Sequence, residues 1–265
     1  MAIDYIIDYD CTPKQTLTTN GILERLKGQA RAQEIIRMFR DAGDARPPSQ
    51  MGFQLTRRNA AGEAETEDIV VQSLLDQAEQ LKPLEQHCVG CPANRSGKPF
   101  GCMGAINYPI TGESEAWLLN RLPTPDDTLV WLLLKRGVDN FLYDGQTIAA
   151  LRIQGDTYFE DRKPAERRLG EFSIDANQVF EMMFTVGDII PNHAGVLLLF
   201  FHAIPRELDA AQIMQLTPAA PDADEQHPFL LDRSSGPDPS TNDLKAFFRA
   251  LYIAWKLHVK VIIDA

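Results

Sequence analysis

The residues of this chain best equipped for chemistry are its four cysteines, Cys11, Cys88, Cys91 and Cys102, three of which fall within 15 positions. The segment reads His87-Cys88-Val89-Gly90-Cys91-Pro92, then Asn94-Arg95-Ser96-Gly97-Lys98-Pro99-Phe100-Gly101-Cys102-Met103-Gly104. Two cysteines three apart can wrap one tight turn and point both sulfurs at one centre. Cys102 returns after ten intervening residues, and Gly97, Pro99 and Gly101 make that return sterically easy. Three thiolates leave a metal or cluster one ligand short. Cys11, just past the first expected strand, is the remaining cysteine and the expected fourth ligand. His87 is the rival, placed second because adjacent residues rarely both reach one metal. Taken alone, Cys11 reads as a small buried apolar residue at a strand end; with three more cysteines crowded elsewhere, ligation becomes the sharper reading.

Four cysteines suit either zinc or an iron–sulfur cluster. Structural zinc usually takes two short-spaced pairs, and Cys102 has no close partner; three clustered ligands plus one distant in sequence is a pattern that clusters tolerate. Cys88-Val89-Gly90-Cys91 resembles the cluster-binding runs of bacterial ferredoxins, in which a Gly before the second cysteine frees the backbone. The third ferredoxin cysteine would fall at Asn94, so membership of that family is excluded. Gly90, Gly101 and Gly104 let backbone N–H groups approach sulfur and offset accumulated negative charge. The expectation is one [4Fe-4S] cluster, with zinc as the alternative cofactor.

A second constellation is Tyr5-Ile6-Ile7-Asp8-Tyr9-Asp10-Cys11-Thr12, an apolar strand followed by D-x-D-x-T. It resembles the first motif of the haloacid-dehalogenase phosphatases. The resemblance implies Asp8 as the nucleophile on phosphorus, Asp10 as acid/base and Mg²⁺ neutralising the phosphoryl charge, with Val186-Gly187-Asp188 as the distant acidic motif. The position four past Asp188 is Asn192 where that motif has Asp, and no apolar strand ending in Ser or Thr is evident between the two. A C-x5-R phosphatase is excluded because Leu17 stands six past Cys11. His193 and His202 flank an apolar run and read as core or rim residues; His227 and His258 have no nucleophile beside them. No P-loop and no G-x-G-x-x-G supports nucleotide binding.

The 265 residues are 44% hydrophobic and 24% charged, ordinary for a soluble globular chain with one large domain or two small ones. A formal net charge of −11 argues against a nucleic-acid partner, since phosphate contacts need surplus Lys and Arg. The longest apolar runs, Ala194 to Phe201 and Leu129 to Leu134, fall far short of the roughly 20 residues that span a bilayer. Met1 to Tyr5 lacks the pattern of a secretory signal, and crowded thiols suit a reducing cytoplasm. The expected partner is a protein or redox partner, neither a nucleic acid nor a membrane.

The elements that must position these residues follow from periodicity. Ile3 to Tyr9 alternates as a strand, and Thr18 to Asn20 can cap a helix from Ile22 to Asp41 that Gly43 stops. Phe53 to Arg57 reads as a strand. The acidic stretch Glu63 to Asp68 leads into a helix carrying Val70, Val71, Leu74, Leu75, Ala78 and Leu81, its early acids complementing the dipole. His87 to Gly104 reads as loop, Ala105 to Ile110 as a strand, and the segment through Trp117, Leu118 and Leu122 as a helix. Thr124-Pro125-Asp126-Asp127 reads as a helix start. Asp144-Gly145 suggests a hairpin, with a helix over Ala149 to Leu151 as the alternative. Asp175 with Gln178 starts a helix, and Ala194 to Ile204 reads as a buried strand. Pro205 to Asp243, with six prolines and eight acids against two arginines, reads as a long surface connection that could serve a zinc-stapled interaction module as a partner surface. A helix from Leu244 through Trp255 and a strand, Val259 to Ile263, close the chain. The expected fold is α/β or α+β, a mixed sheet with packed helices and a Cys-containing loop insertion. It divides into an N-terminal half, 1–123, carrying the four-cysteine site and a C-terminal half, 124–265.

Overall fold

The computed structural model describes residues 2–58, 64–214, 216 and 223–264. The chain opens with β1 (Ala2–Ile7), α1 (Thr12–Leu17), α2 (Thr19–Asp41), β2 (Gly52–Arg58), β3 (Ala64–Val70) and α3 (Val71–Ala78). A 3-10 segment (Glu79–Cys88) follows, then β4 (Met103–Asn107), α4 (Gly112–Arg121), α5 (Thr128–Phe141), α6 (Gln146–Arg152), β5 (Glu166–Leu169) and β6 (Phe172–Asp175). The remainder is α7 (Ala176–Phe184), α8 (Pro191–Phe200), α9 (Ala210–Met214), α10 (Ala223–Gln226), α11 (Pro239–Leu257) and β7 (Val261–Asp264). The fold is mixed, 51% helical and 15% strand, with small sheets packed against helices. Every ladder between these strands is antiparallel, which makes it α+β. No helix among the described residues is long and apolar enough to cross a membrane.

The chain forms two units, a larger one of Met1–Tyr9, Pro92–Gly97 and Gly101–Ala265, and a smaller one of Asp10–Cys91 and Lys98–Phe100. This differs from halves meeting at residue 123, because β1 pairs with β4 and β7 and so joins the C-terminal part.

In the smaller unit Thr18 accepts a hydrogen bond from the Gly21 N–H at 3.1 Å and starts α2 where its capping residues predict. Helix α2 packs on α3 around Ala32, Met51 and Val71. Gly28 allows that approach, since a Cβ there would already touch Leu74 at 3.5 Å. The guanidinium of Arg25 donates from Nε and Nη2 to Gln80 Oε1 at 3.2 and 2.7 Å, fixing the 3-10 segment that ends in Cys88.

In the larger unit β1 lies between β4 and β7 and is covered on both faces as well, with Asp4 and Ile6 buried along with Tyr5 and Ile7. Helix α11 packs on β1, β4 and α8 through Phe247, Phe248, Leu251 and Trp255, all buried. Gly195 gives α8 its close approach, because a Cβ there would lie 2.8 Å from Trp255 Nε1. Asp238 joins two helix starts: it accepts the Thr241 N–H at 2.8 Å as the cap of α11 and the Thr111 hydroxyl at 3.0 Å from the cap of α4.

A charged pair sits inside this unit. Glu115 on α4 and Arg152 on α6 form a salt bridge with side chains only 1% and 3% exposed. Arg152 also donates to Asn177 Oδ1 at 2.5 Å and to the Asp161 carbonyl at 2.8 Å, and its guanidinium lies 4.0 Å from the Phe159 ring centroid. Glu115 accepts the Ala165 N–H at 3.0 Å. Burial pushes the Glu115 carboxyl up, while the Ala165 amide and Arg152 pull it back toward the ionised form.

Several elements differ from their sequence reading, each for a local reason. Ala194 to Phe200 is helix, part of α8, although it reads as a strand; a short all-apolar run carries no period, and Pro191 in the first turn favours the helix. Glu65, Glu67 and Asp68 lie on β3 and not at a helix start; β3 pairs in register with β2, helped by a 3.0 Å hydroxyl contact between Thr56 and Thr66, and the first turn of α3 holds no acid. Glu63 lies outside the described residues. Thr124 to Asp127 forms a turn before α5, Thr124 N–H donating to Asp127 Oδ2 at 2.9 Å. Asp144-Gly145 opens α6 instead of a hairpin, since the Gly145 N–H is taken by Glu181 at 2.7 Å. The expected loop from His87 is shorter at both ends, because His87 and Cys88 belong to the 3-10 segment and Met103 and Gly104 to β4. The stretch from Pro205 contains α9, α10 and the first turn of α11.

Arg152→Met removes one partner of the buried pair and strands the Glu115 carboxylate. A loss of about 3–5 kcal/mol in unfolding free energy is expected from urea denaturation. The double variant with Glu115→Gln should recover part of that loss.

Candidate metal centre

The smaller unit supplies three of the four cysteines. Cys11 is extended at the entrance to α1 (φ −158°, ψ 160°), and its carbonyl accepts the Gln15 N–H at 3.1 Å. Cys88 ends the 3-10 segment. Val89 (φ −70°, ψ 123°) and Gly90 (φ +72°) then make a type II turn closed by Cys91 N–H donating to the Cys88 carbonyl at 3.4 Å. The positive φ at Gly90 is the reason for glycine in the Cys-Val-Gly-Cys turn. The Phe100 N–H donates to Cys88 Sγ at 3.2 Å. This contact gives no sequence signal, since any residue but proline offers an amide.

Cys88 is buried, and burial is the first cause that pushes its thiol up. The Phe100 amide opposes that shift, while negative charge at Cys91, Cys11 and Glu85 adds to it. Cys11 and Cys91 are thus both near enough to act on Cys88. None of the four cysteines is in a disulfide. His87 is exposed at the end of the 3-10 segment.

Cys102 belongs to the larger unit and is partly buried. Its carbonyl accepts the Ile7 N–H at 3.0 Å, extending the β1–β4 pairing by one step. The turn ahead of it is organised by Asn94, whose Oδ1 accepts the Ser96 and Gly97 amides at 3.2 and 2.9 Å, and the Arg95 N–H donates to the Gly101 carbonyl at 3.2 Å. A Cβ on Gly101 would lie 2.0 Å from Asn94 Oδ1, so only glycine fits. Among the described residues, no group of three or more His, Cys, Asp or Glu side chains stands where it could hold a metal ion.

The aspartates of the D-x-D-x-T stretch divide between units. Asp8 follows β1 in the larger unit, 4.0 Å from Lys260 Nζ, which also donates to Asp188 Oδ2 at 2.6 Å. Contact with Asp188 first, then Asp8, raises the Lys260 ammonium above the ordinary lysine value. Asp10 is in the smaller unit and accepts Gln15 Nε2 at 3.1 and 3.0 Å.

Of the histidines of the larger unit, His193 and His227 are partly buried and His202 and His258 are exposed. His258 (φ +56°) ends α11 in the left-handed region. Burial is the first cause that lowers His193, His202 and His227, and the buried His227 Nδ1 has no hydrogen-bond partner. His193 and His202 are therefore rim residues, as the sequence suggests.

No protein family, curated protein or solved structure matches the chain.

The lowered histidines set a pH dependence. Below the ordinary histidine value of about 6.5 the unfolded chain binds protons that these three folded histidines refuse, so stability falls with pH. Thermal melts should show Tm falling as pH drops from about 6.5 through the folded values. His227→Phe, which keeps a ring against Trp255, should flatten the slope.

Proposed function

We propose that the chain binds one [4Fe-4S] cluster through Cys11, Cys88, Cys91 and Cys102, in a redox, sensing or structural role in the cytoplasm. The observation that carries the reading is the nearness of Cys11 and Cys91 to Cys88, with the Phe100 amide already donating to the Cys88 sulfur. Amide hydrogen bonds to sulfur offset the negative charge that thiolates and sulfides bring to a cluster. Cys102 enters as fourth ligand on connectivity, since only Gly101 separates it from Phe100. The cluster would supply electron transfer or a response to oxidant, and a reducing compartment keeps its ligands as thiols. The partner on this reading is a redox or protein partner. A zinc-stapled interaction module uses the same ligands and differs only in the metal.

A Mg²⁺-dependent phosphatase is the second reading, favoured by the approach of Asp8 and Asp188 to a common lysine. That lysine already offsets one of the two carboxylate charges, pairing with Asp188 at 2.6 Å, and Asp10 is engaged by Gln15. The cluster reading stands first.

Protein purified without oxygen should show a broad band near about 400 nm and stoichiometric iron and sulfide. Colourless protein with one zinc per chain would assign the staple. Cys88→Ser, Cys91→Ser and Cys102→Ser should each sharply reduce bound metal; full retention in all three overturns the site. Asp8→Asn should leave metal content unchanged, and turnover of a phosphate ester by the parent that vanishes in this variant would put the phosphatase first.

A further inference from the structure

Within the larger unit lies a pocket of about 220 Å³ whose lining includes Arg95, Arg233, Lys245 and Arg249, with Asp232 as its one carboxylate. In a chain of net charge −11 this is a reversal of local sign, four cations to one carboxylate in the lining. The carboxylate bonds within its own loop first and feels Lys245 as well. Asp232 accepts the Ser234 N–H at 2.9 Å and the Ser234 hydroxyl, and these bonds come first among the causes that hold it below the ordinary aspartate value. Among the described residues Arg95, Arg233 and Lys245 form no salt bridge.

Two of the cations are fixed in place. Arg249 lies 5.2 Å from the Phe229 ring and 5.4 Å from the Tyr252 ring. Arg95 donates to the Met103 carbonyl at 3.1 Å and sits 5.4 Å from the Tyr5 ring; a Cβ on Gly104 would lie 2.3 Å from its Nη2, so the glycine makes its room. The Tyr5 hydroxyl beneath it is buried without a hydrogen-bond partner and, pushed up to about 12, stays neutral. The pocket loop is tied to α11 by Asn242, which accepts the Gly236 N–H at 2.8 Å and donates to its carbonyl at 2.9 Å, and by Lys245 donating to the Ser234 carbonyl at 3.1 Å. Arg95, Lys245 and Arg249 are therefore held before any ligand arrives, while Arg233 stands exposed beside them.

We propose that this pocket binds a dianionic phosphate group, as inorganic phosphate or as the head of a small phosphomonoester. Guanidinium forks match phosphate oxygens in pairs, and the excess of positive charge suits a dianion better than a single carboxylate. A pocket of this volume has room for a phosphate group and a few further atoms.

The test is calorimetric titration of the full chain with inorganic phosphate, with glycerol phosphate, and with glycerol and succinate as controls. Saturable binding of either phosphate, with neither control binding comparably, is expected. Tighter glycerol phosphate assigns an organic source and tighter inorganic phosphate the free ion. Arg233→Gln, on an exposed side chain, should weaken binding about tenfold or more with an unchanged denaturation midpoint, and Lys245→Gln, which also gives up the bond to the Ser234 carbonyl, should weaken it at least as much. Absence of phosphate binding at millimolar concentration, succinate binding as tightly as phosphate, or affinities unchanged in both variants would each overturn the proposal.

Discussion

A carboxylate out of water has to be neutralised where it stands, and much of the larger unit follows from where Glu115 stands. Its oxygens are met by Arg152 and by the Ala165 amide, while Arg152 reaches on to Asn177 and to the Asp161 carbonyl. Helices α4, α6 and α7 and the segment ahead of β5 thereby share one buried network. Helix α6 is held at both ends: Arg152 is its last residue, and Glu181 accepts the Gly145 and Thr147 amides at 2.7 and 3.4 Å at its start. That carboxylate faces the positive end of the helix dipole. Apolar packing alone would let α6 slide along its neighbours, whereas a charge with this many partners specifies one position.

Arginine does similar service at helix ends. Arg206 donates to the carbonyls of Leu199, Phe200 and Arg121 and pairs with Asp127 at 3.2 Å, closing the last turns of α4 and α8 together. Arg167 reaches the Leu119 and Leu122 carbonyls at 2.5 and 3.0 Å. Terminal carbonyls otherwise left without donors inside the protein are satisfied by cations that also suit the negative end of each dipole. Burial lowers both guanidinium values, yet an arginine so far above neutrality remains charged. Of 26 basic residues against 37 acidic, these are spent inside, which makes the cations gathered around Arg249 the more unusual.

What was legible in the sequence tracks how local the cause is. Thr18 before α2, and Asp175 with Gln178 in a reciprocal capping box at α7, act within one turn, and both starts stand where the residues point. The buried stripe of α11 is equally readable because its period is set by one helix. The run inside α8 fails that test: buried nearly all round, it has no polar face to set a period, and its identity depends on α11 beside it. Strand β3 is misread because its acids fit a helix start and only pairing with β2 tells otherwise. The Glu115–Arg152 pair, 37 positions apart, could not be found from spacing at all.

The cysteine site divides along the same line. Its turn is local, so Cys88, Cys91 and Gly90 stand as the spacing says; the Phe100 amide and the influence of Cys11 depend on tertiary folding. The electrostatics give the grouping a direction. Burial first, then the negative charge that Cys91 and Cys11 would carry, makes the Cys88 thiol harder to ionise. A multivalent cation reverses every sign in that balance: each thiolate then stabilises the centre, and the Phe100 amide meets a sulfur that carries charge. The same crowding that disfavours a bare thiolate at Cys88 would therefore favour a bound iron or zinc centre, and the energy of binding would tie Cys11 at the head of α1 to the end of the 3-10 segment 77 residues later.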